Sequence, residues 1–172
     1  MTRRTSTLKE VTESGNLERA WRWLRSNPDR QYKKYFRESY SNYSLIESVV
    51  LKDIAKKIDA GTYEPSHGCK IFLPKASGVL RPYTLLTVED QIVYQAMVNV
   101  IAEHLYPHVL SSYYVSTFGN LYAGKSSTWF YRKWSTAYKR FNDAARDSFK
   151  SGLTYSASFD LTACYDSLDH FL

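Results

Sequence analysis

Phe159-Asp160-Leu161-Thr162-Ala163-Cys164-Tyr165-Asp166-Ser167-Leu168-Asp169-His170-Phe171-Leu172 carries the most specific pattern in this 172-residue chain. The run from Leu153 to Phe159 reads as a short strand, and it delivers a carboxylate, Asp160, at its end. Five residues later comes an aromatic, Tyr165, and then Asp166-Ser167-Leu168-Asp169-His170 opens a helix. Asp166 and Asp169 read as helix-starting acids, placed where negative charge suits the dipole. A carboxylate at a strand end is held rigidly and can ligate Mg²⁺, a hard cation that prefers oxygen. Two such ions about 4 Å apart clamp the attacking and leaving oxygens of an in-line phosphoryl displacement. The layout suits a metal-dependent nucleotidyl transferase.

A second signal lies upstream, where the period turns from helical to alternating. Lys70 to Lys75 and Leu80 to Leu86 read as two short strands about a turn at Ser77-Gly78. Lys75 and Arg81 flank that turn, so both long cations can project from one β-tip. A nucleoside triphosphate needs such a clamp, because charge-assisted donors match its non-bridging oxygens. Cations near a glycine turn also serve to blunt an edge strand.

The flanking segments are helical. Leu17, Ala20, Trp21 and Leu24 recur at three- and four-residue spacing, and Asn27-Pro28-Asp29 ends that helix; residues 1–15 read as polar and frayed. A second helix is expected over Asp29 to Glu38, with Tyr32, Tyr35 and Phe36 among lysines and arginine. A third, Ser44 to Ile58, places Leu45, Ile46, Val49, Val50, Ile54 and Ile58 on one face and Lys52, Lys56 and Lys57 opposite. Thr87-Val88-Glu89-Asp90 is a capping-box-like start. The helix it opens runs to about His104, with Ile92, Val93, Ala96, Met97, Val100 and Ile101 inward and Pro107 ending the element. Residues 111–127 read as loop, Trp129 to Phe149 as a basic, aromatic helical stretch, and Gly152 closes it.

Bulk properties narrow the class. The chain is 44% apolar and 16% aromatic, which supports a core rather than a disordered tail. No apolar run reaches the ~18 residues of a membrane span, and the basic amino end has no signal-peptide pattern. Cys69 and Cys164 lie far apart, as structural thiols in a reduced, cytoplasmic protein do. The four histidines show no ligand spacing: Pro107 intervenes between His104 and His108. The formal charge of +6 is uneven, with ten Lys/Arg against five Asp/Glu in residues 1–40 and seven against two in residues 121–150. That excess suits a polyanionic partner.

The string from Asp160 resembles the first catalytic motif of reverse transcriptases, whose bacterial form reads roughly Asp-Ile-x-x-Phe-Tyr-Asp-Ser-Ile-Asp-His-x-x-Leu. The resemblance implies that Asp160 is the catalytic, metal-binding aspartate and that the Leu161 carbonyl joins it on Mg²⁺, with Mn²⁺ as the alternative ion. Tyr165 then screens the sugar 2′ position of the incoming nucleotide, and Cys164 departs from the family's usual Phe. The order strand, Pro-Lys, turn, Arg-Pro, strand, helix is similar to the fingers of the same enzymes, which implies a nucleotide-binding role for Lys75 and Arg81. Arg81 to Ala96 resembles, more narrowly, the segment after the fingers hairpin in defence-associated, abortive-infection-type members. Ser116-Thr117-Phe118-Gly119-Asn120-Leu121 resembles a further string of that group, although Leu121 stands where the group keeps Arg; Asn120 is the one template contact this implies. The Trp129 and Trp134 stretch resembles their Trp-rich insertion.

The implied architecture is α+β: a right-hand polymerase with a helical extension (residues 1–60), a fingers region with a Trp-rich helical insertion (61–152) and the first palm strand with its motif (153–172). The implied activity is RNA-directed DNA polymerisation in antiphage defence by a bacterial cytoplasmic protein. Its partners would be an RNA or DNA template-primer, deoxynucleoside triphosphates and, as an option, an associated non-coding RNA, with no membrane. The family's second carboxylate source, a Tyr/Phe-x-Asp-Asp strand pair, has no counterpart, for Asp-Asp occurs nowhere in the 172 residues. The chain therefore reads as the amino-terminal part of a longer polymerase, inactive by itself. A non-catalytic nucleic-acid-binding module and one half of a split polymerase are the alternatives.

Overall fold

In the computed structural model, residues 3–26 and 31–161 are described. They form a body of helices from which one β-hairpin and a last helix extend. The helices are α1 (Arg3–Thr12), α2 (Ser14–Arg25), α3 (Arg37–Leu45), α4 (Glu47–Asp59), α5 (Val88–Val109) and α6 (Trp134–Lys150), with short 3₁₀ turns at Gln31–Phe36 and Leu110–Ser112. Strands β1 (Cys69–Pro74) and β2 (Leu80–Leu85) pair antiparallel. No helix among the described residues is long and apolar enough to cross a membrane.

The core is built where α2 crosses α5. Leu17, Ala20, Trp21 and Leu24 of α2 meet Ile92, Val93, Ala96 and Val100 of α5, and Val11, Tyr40, Leu51 and Ile54 close the sides. Trp21 is 1% exposed and meets Tyr40 edge-on, ring centroids 5.8 Å apart. A polar seam runs beside the apolar one. The Asn16 amide donates to the carbonyls of Glu10 and Val11, at 3.2 Å each, and to that of Ala96 at 3.0 Å. Asn99 in turn donates to the Asn16 side-chain oxygen at 3.0 Å. One buried amide thus satisfies the loose end of α1 and fixes it to α5, which a wet, frayed terminus could not do.

In the amino-terminal helices three expectations change. Residues 3–12 are helical rather than frayed, because Val11 is buried and Thr12 donates to Asp59 at 2.9 Å. The helix expected from Asp29 to Glu38 is a 3₁₀ turn that leads into α3, Asp29 itself lying outside the described residues. Its cause is Lys33, a buried ammonium that donates to the carbonyls of Leu24 at 2.6 Å and Ser26 at 2.7 Å and caps the end of α2. The third helix starts at Glu47, after a break at Ile46, and Leu45, Ile46 and Val49 face solvent while Leu51 and Ile54 are buried.

The α5 start matches its capping signal with one substitution of partner. Thr87 accepts from the Asp90 N–H at 3.3 Å, and the buried Asp90 carboxylate accepts in turn from the Thr87 hydroxyl, from Tyr63 and from the Ser66 N–H at 3.1 Å. The helix passes Pro107 and ends two residues later, so the missing N–H falls in a final turn. Met97 and Ile101, expected inward, are exposed and line an apolar groove of about 710 Å³ beside α1 and Tyr63.

The strand expected over Leu153 to Phe159 does not form among the described residues. Residues 153–161 follow a left-handed Gly152 (φ +99°) and make no ladder there. A strand is stabilised by its neighbour's hydrogen bonds, and none of the described residues supplies one. Tyr155 and Phe159 are almost wholly exposed.

Candidate functional site

The hairpin register fixes where its two cations lie. Leu73 pairs with Arg81 and Pro74 with Leu80; beyond them the Lys75 N–H donates to the Val79 carbonyl at 2.9 Å. Gly78 closes the turn at φ +81°, a conformation that suits glycine. Side chains alternate along a strand, so Lys75 shares the face of Leu73, and Leu73 shares that of Arg81. Both cations therefore stand on one face at the tip and are exposed. Behind them on that face lie the half-buried Ile71, Leu73, Tyr83 and Leu85; the opposite face exposes Phe72 and Leu80. The Arg81 guanidinium reaches the Tyr83 hydroxyl at 3.5 Å. Two cations so placed can bracket a polyphosphate from one side.

The base of the hairpin is pinned to the helical body. The Gln91 amide donates to the Leu86 carbonyl at 2.9 Å and accepts from the Tyr40 hydroxyl at 2.6 Å. The Asp90 carboxylate collects the Thr87 hydroxyl (2.6 Å), the Tyr63 hydroxyl and the Ser66 N–H. Burial pushes the Asp90 pKa up, but those donors outweigh it and hold the carboxyl below its ordinary value. Burial, then the Asp90 hydrogen bond, pushes the Tyr63 phenol up. At the far end of β1, a Cβ on Gly68 would lie 2.5 Å from Thr84 Cγ2, so the strands meet there only because Gly68 has no side chain.

Asp160 and Leu161 are exposed at the end of the unpaired segment, and Tyr165, with residues 162–172, lies outside the described residues. Among the described residues no three His, Cys, Asp or Glu side chains converge as metal ligands. One exposed carboxylate does not hold Mg²⁺ by itself, since a protein site uses further oxygen donors to fix the ion. The described residues by themselves thus do not make a metal centre. His104 is engaged with Glu10 at 2.7 Å.

Asn120 sits elsewhere, in the left-handed region (φ +50°), a backbone state Asn tolerates. It borders a groove of about 1080 Å³ between the loop at residues 116–121 and the first turns of α6. Trp129, Tyr131, Trp134 and Tyr138 line that groove with Arg132 and Lys133. The Arg132 guanidinium lies 5.0 Å from the Tyr113 ring centre and 5.6 Å from that of Tyr114, and it donates to the Tyr106 hydroxyl at 3.1 Å. Trp23 packs edge-on against Trp129 at 6.4 Å. Sequence reasoning singled out Trp129 and Trp134 but not Trp23 or Arg132, which join them through tertiary packing. The basic, aromatic composition of residues 121–150 was the signal for the region, without its geometry.

Comparison with protein-family models, with curated proteins and with solved structures gives no match to this chain.

Proposed function

We propose that this chain carries the fingers and the start of the palm of a bacterial reverse transcriptase, of the defence-associated kind. The observation that carries the reading is the hairpin: Lys75 and Arg81 share one face of a tip whose base is pinned by Asp90 and Gln91. The sequence string from Asp160 to His170 supports it from the other end of the chain. On this reading Lys75 and Arg81 neutralise the phosphates of an incoming deoxynucleotide and Tyr165 screens its sugar. Asp160 is one of the carboxylates that, joined by others and by the Leu161 carbonyl, would hold Mg²⁺ or Mn²⁺. The ion would stabilise charge on the transferred phosphoryl group. Cytoplasmic location, an RNA or DNA template-primer and an associated RNA belong to the same proposal. Two exposed aromatics, Tyr155 and Phe159, favour a segment that pairs with further strands when the palm is complete.

Nucleotide affinity tests the hairpin. In the polymerase that includes this chain, Arg81→Ala raises the nucleotide KM about tenfold or more, as loss of a charge-assisted contact requires. An unchanged KM removes the triphosphate role. The second reading, a non-catalytic nucleic-acid-binding module, is favoured by the aromatic groove beside α6.

A further inference from the structure

We infer that the groove between residues 116–121 and α6 is a stacking platform for single-stranded nucleic acid, with Trp134 and Tyr138 as its base-binding rings and Lys133 as its phosphate contact. The proposal rests on the nucleic-acid side of the reading above, and it uses neither Asp160 nor a metal.

Three observations carry it. First, the rings are presented rather than consumed. Trp134 is 73% exposed, Tyr138 57% and Trp129 50%, yet the floor beneath them is built: Leu121 is 2% exposed and Ala137 5%. Second, the spacing suits successive bases. Trp134, Tyr138 and Phe141 stand on one face of α6, with ring centroids 6.1 Å and 6.5 Å apart along the row. Every base offers a π-face to such rings whatever its sequence. Third, the charge is of one sign. Among the described residues, Arg132 and Lys133 line the groove and no carboxylate does. Arg132 is committed to Tyr106, Tyr113 and Tyr114, whereas Lys133 is exposed at the lip. The Asn120 side chain adds an amide donor and acceptor at the rim. The volume of about 1080 Å³ lies just above the range of ligand clefts, roughly 300–1,000 Å³, as suits a strand rather than a small molecule. An apolar protein partner would gain nothing from Lys133 or Asn120, and a duplex would hide the base faces the rings need.

The test is fluorescence anisotropy of labelled oligothymidine, oligouridine and a duplex of equal length, titrated with the full 172-residue chain in chelator and low salt. Both single strands are expected to bind and to quench tryptophan emission. Trp134→Ala and Tyr138→Ala each weaken binding about tenfold, the scale of one lost base stack. Lys133→Gln lowers the salt slope by about 0.7, one released counterion on a single strand. Because both rings are exposed, the variants keep the melting temperature of the parent. The assay holds chelator and no nucleotide, so it reads the groove alone, while primer extension reads the polymerase centre; failure of one is distinguishable from failure of the other. The proposal is overturned by no binding, by duplex bound as tightly as single strand, or by unchanged affinity in Trp134→Ala and Tyr138→Ala. Self-association of the chain that Trp134→Ala abolishes would also overturn it, by giving the face to a second copy.

Discussion

At the scale of the residue, buried polar groups set the local geometry. Asp90 takes three donors on a carboxylate that is 7% exposed. Its pKa is held down in the folded chain, so it contributes stability above its unfolded value of about 3.9 and loses that contribution as pH falls through the folded value. Asp90→Asn is therefore expected to cost about 1–3 kcal/mol at neutral pH, with the gap to the parent shrinking below about pH 4. Urea melts of both proteins at the two pH values measure it; a gap that grows on acidification contradicts the assignment. Lys33 is the second case. Replacing it with Met leaves the carbonyls of Leu24 and Ser26 without their donor and should destabilise by about 1–3 kcal/mol. Neither role was legible in the sequence: Lys33 is one of several cations in a basic segment, and only its packing against the end of α2 turns it inward.

At the scale of the element, the hairpin and α5 were readable because their signals are local. Gly78 marked the turn, alternation marked the strands and Thr87 marked the cap, each within four residues of the feature it specifies. Gly68 was silent, since its requirement comes from Thr84 across the ladder. Gly68→Ala should cost about 1–3 kcal/mol by overpacking, and Thr84→Ser, which removes the Cγ2 methyl, should recover most of that loss. The double-mutant cycle in thermal unfolding measures the coupling; additive losses would place the strain elsewhere. The strand expected at residues 153–159 failed for the converse reason. Strand propensity has no outlet without a partner, whereas helices satisfy their own backbone.

At the scale of the whole molecule, the sequence identified the core face of α2 well and those of α4 and α5 in part. Ile54, Ile92 and Ala96 were placed inward correctly, while Val49, Met97 and Ile101 were not. Periodicity reports that a helix has an apolar face; it does not say how much of that face the rest of the chain covers. Removing the ring at the helix crossing, Trp21→Ala, should cost about 3–5 kcal/mol in chemical denaturation. Of the candidate site, only the placement of its residues can be compared with the sequence. Lys75 and Arg81 follow from turn chemistry and register, but carboxylates that converge from distant segments leave no local pattern, and Asp160 stands among the described residues with no such companions.

Primer extension on an RNA template is the measurement that decides whether Asp160 belongs to a polymerase centre, as proposed. The enzyme should be the polypeptide in which this chain is joined by the further carboxylates, compared with its Asp160→Asn variant at equal folded content. Extension by the parent and a loss of at least about 100-fold in the variant are expected, the cost of removing a charge that fixes a catalytic ion. Equal rates in the two proteins would contradict it.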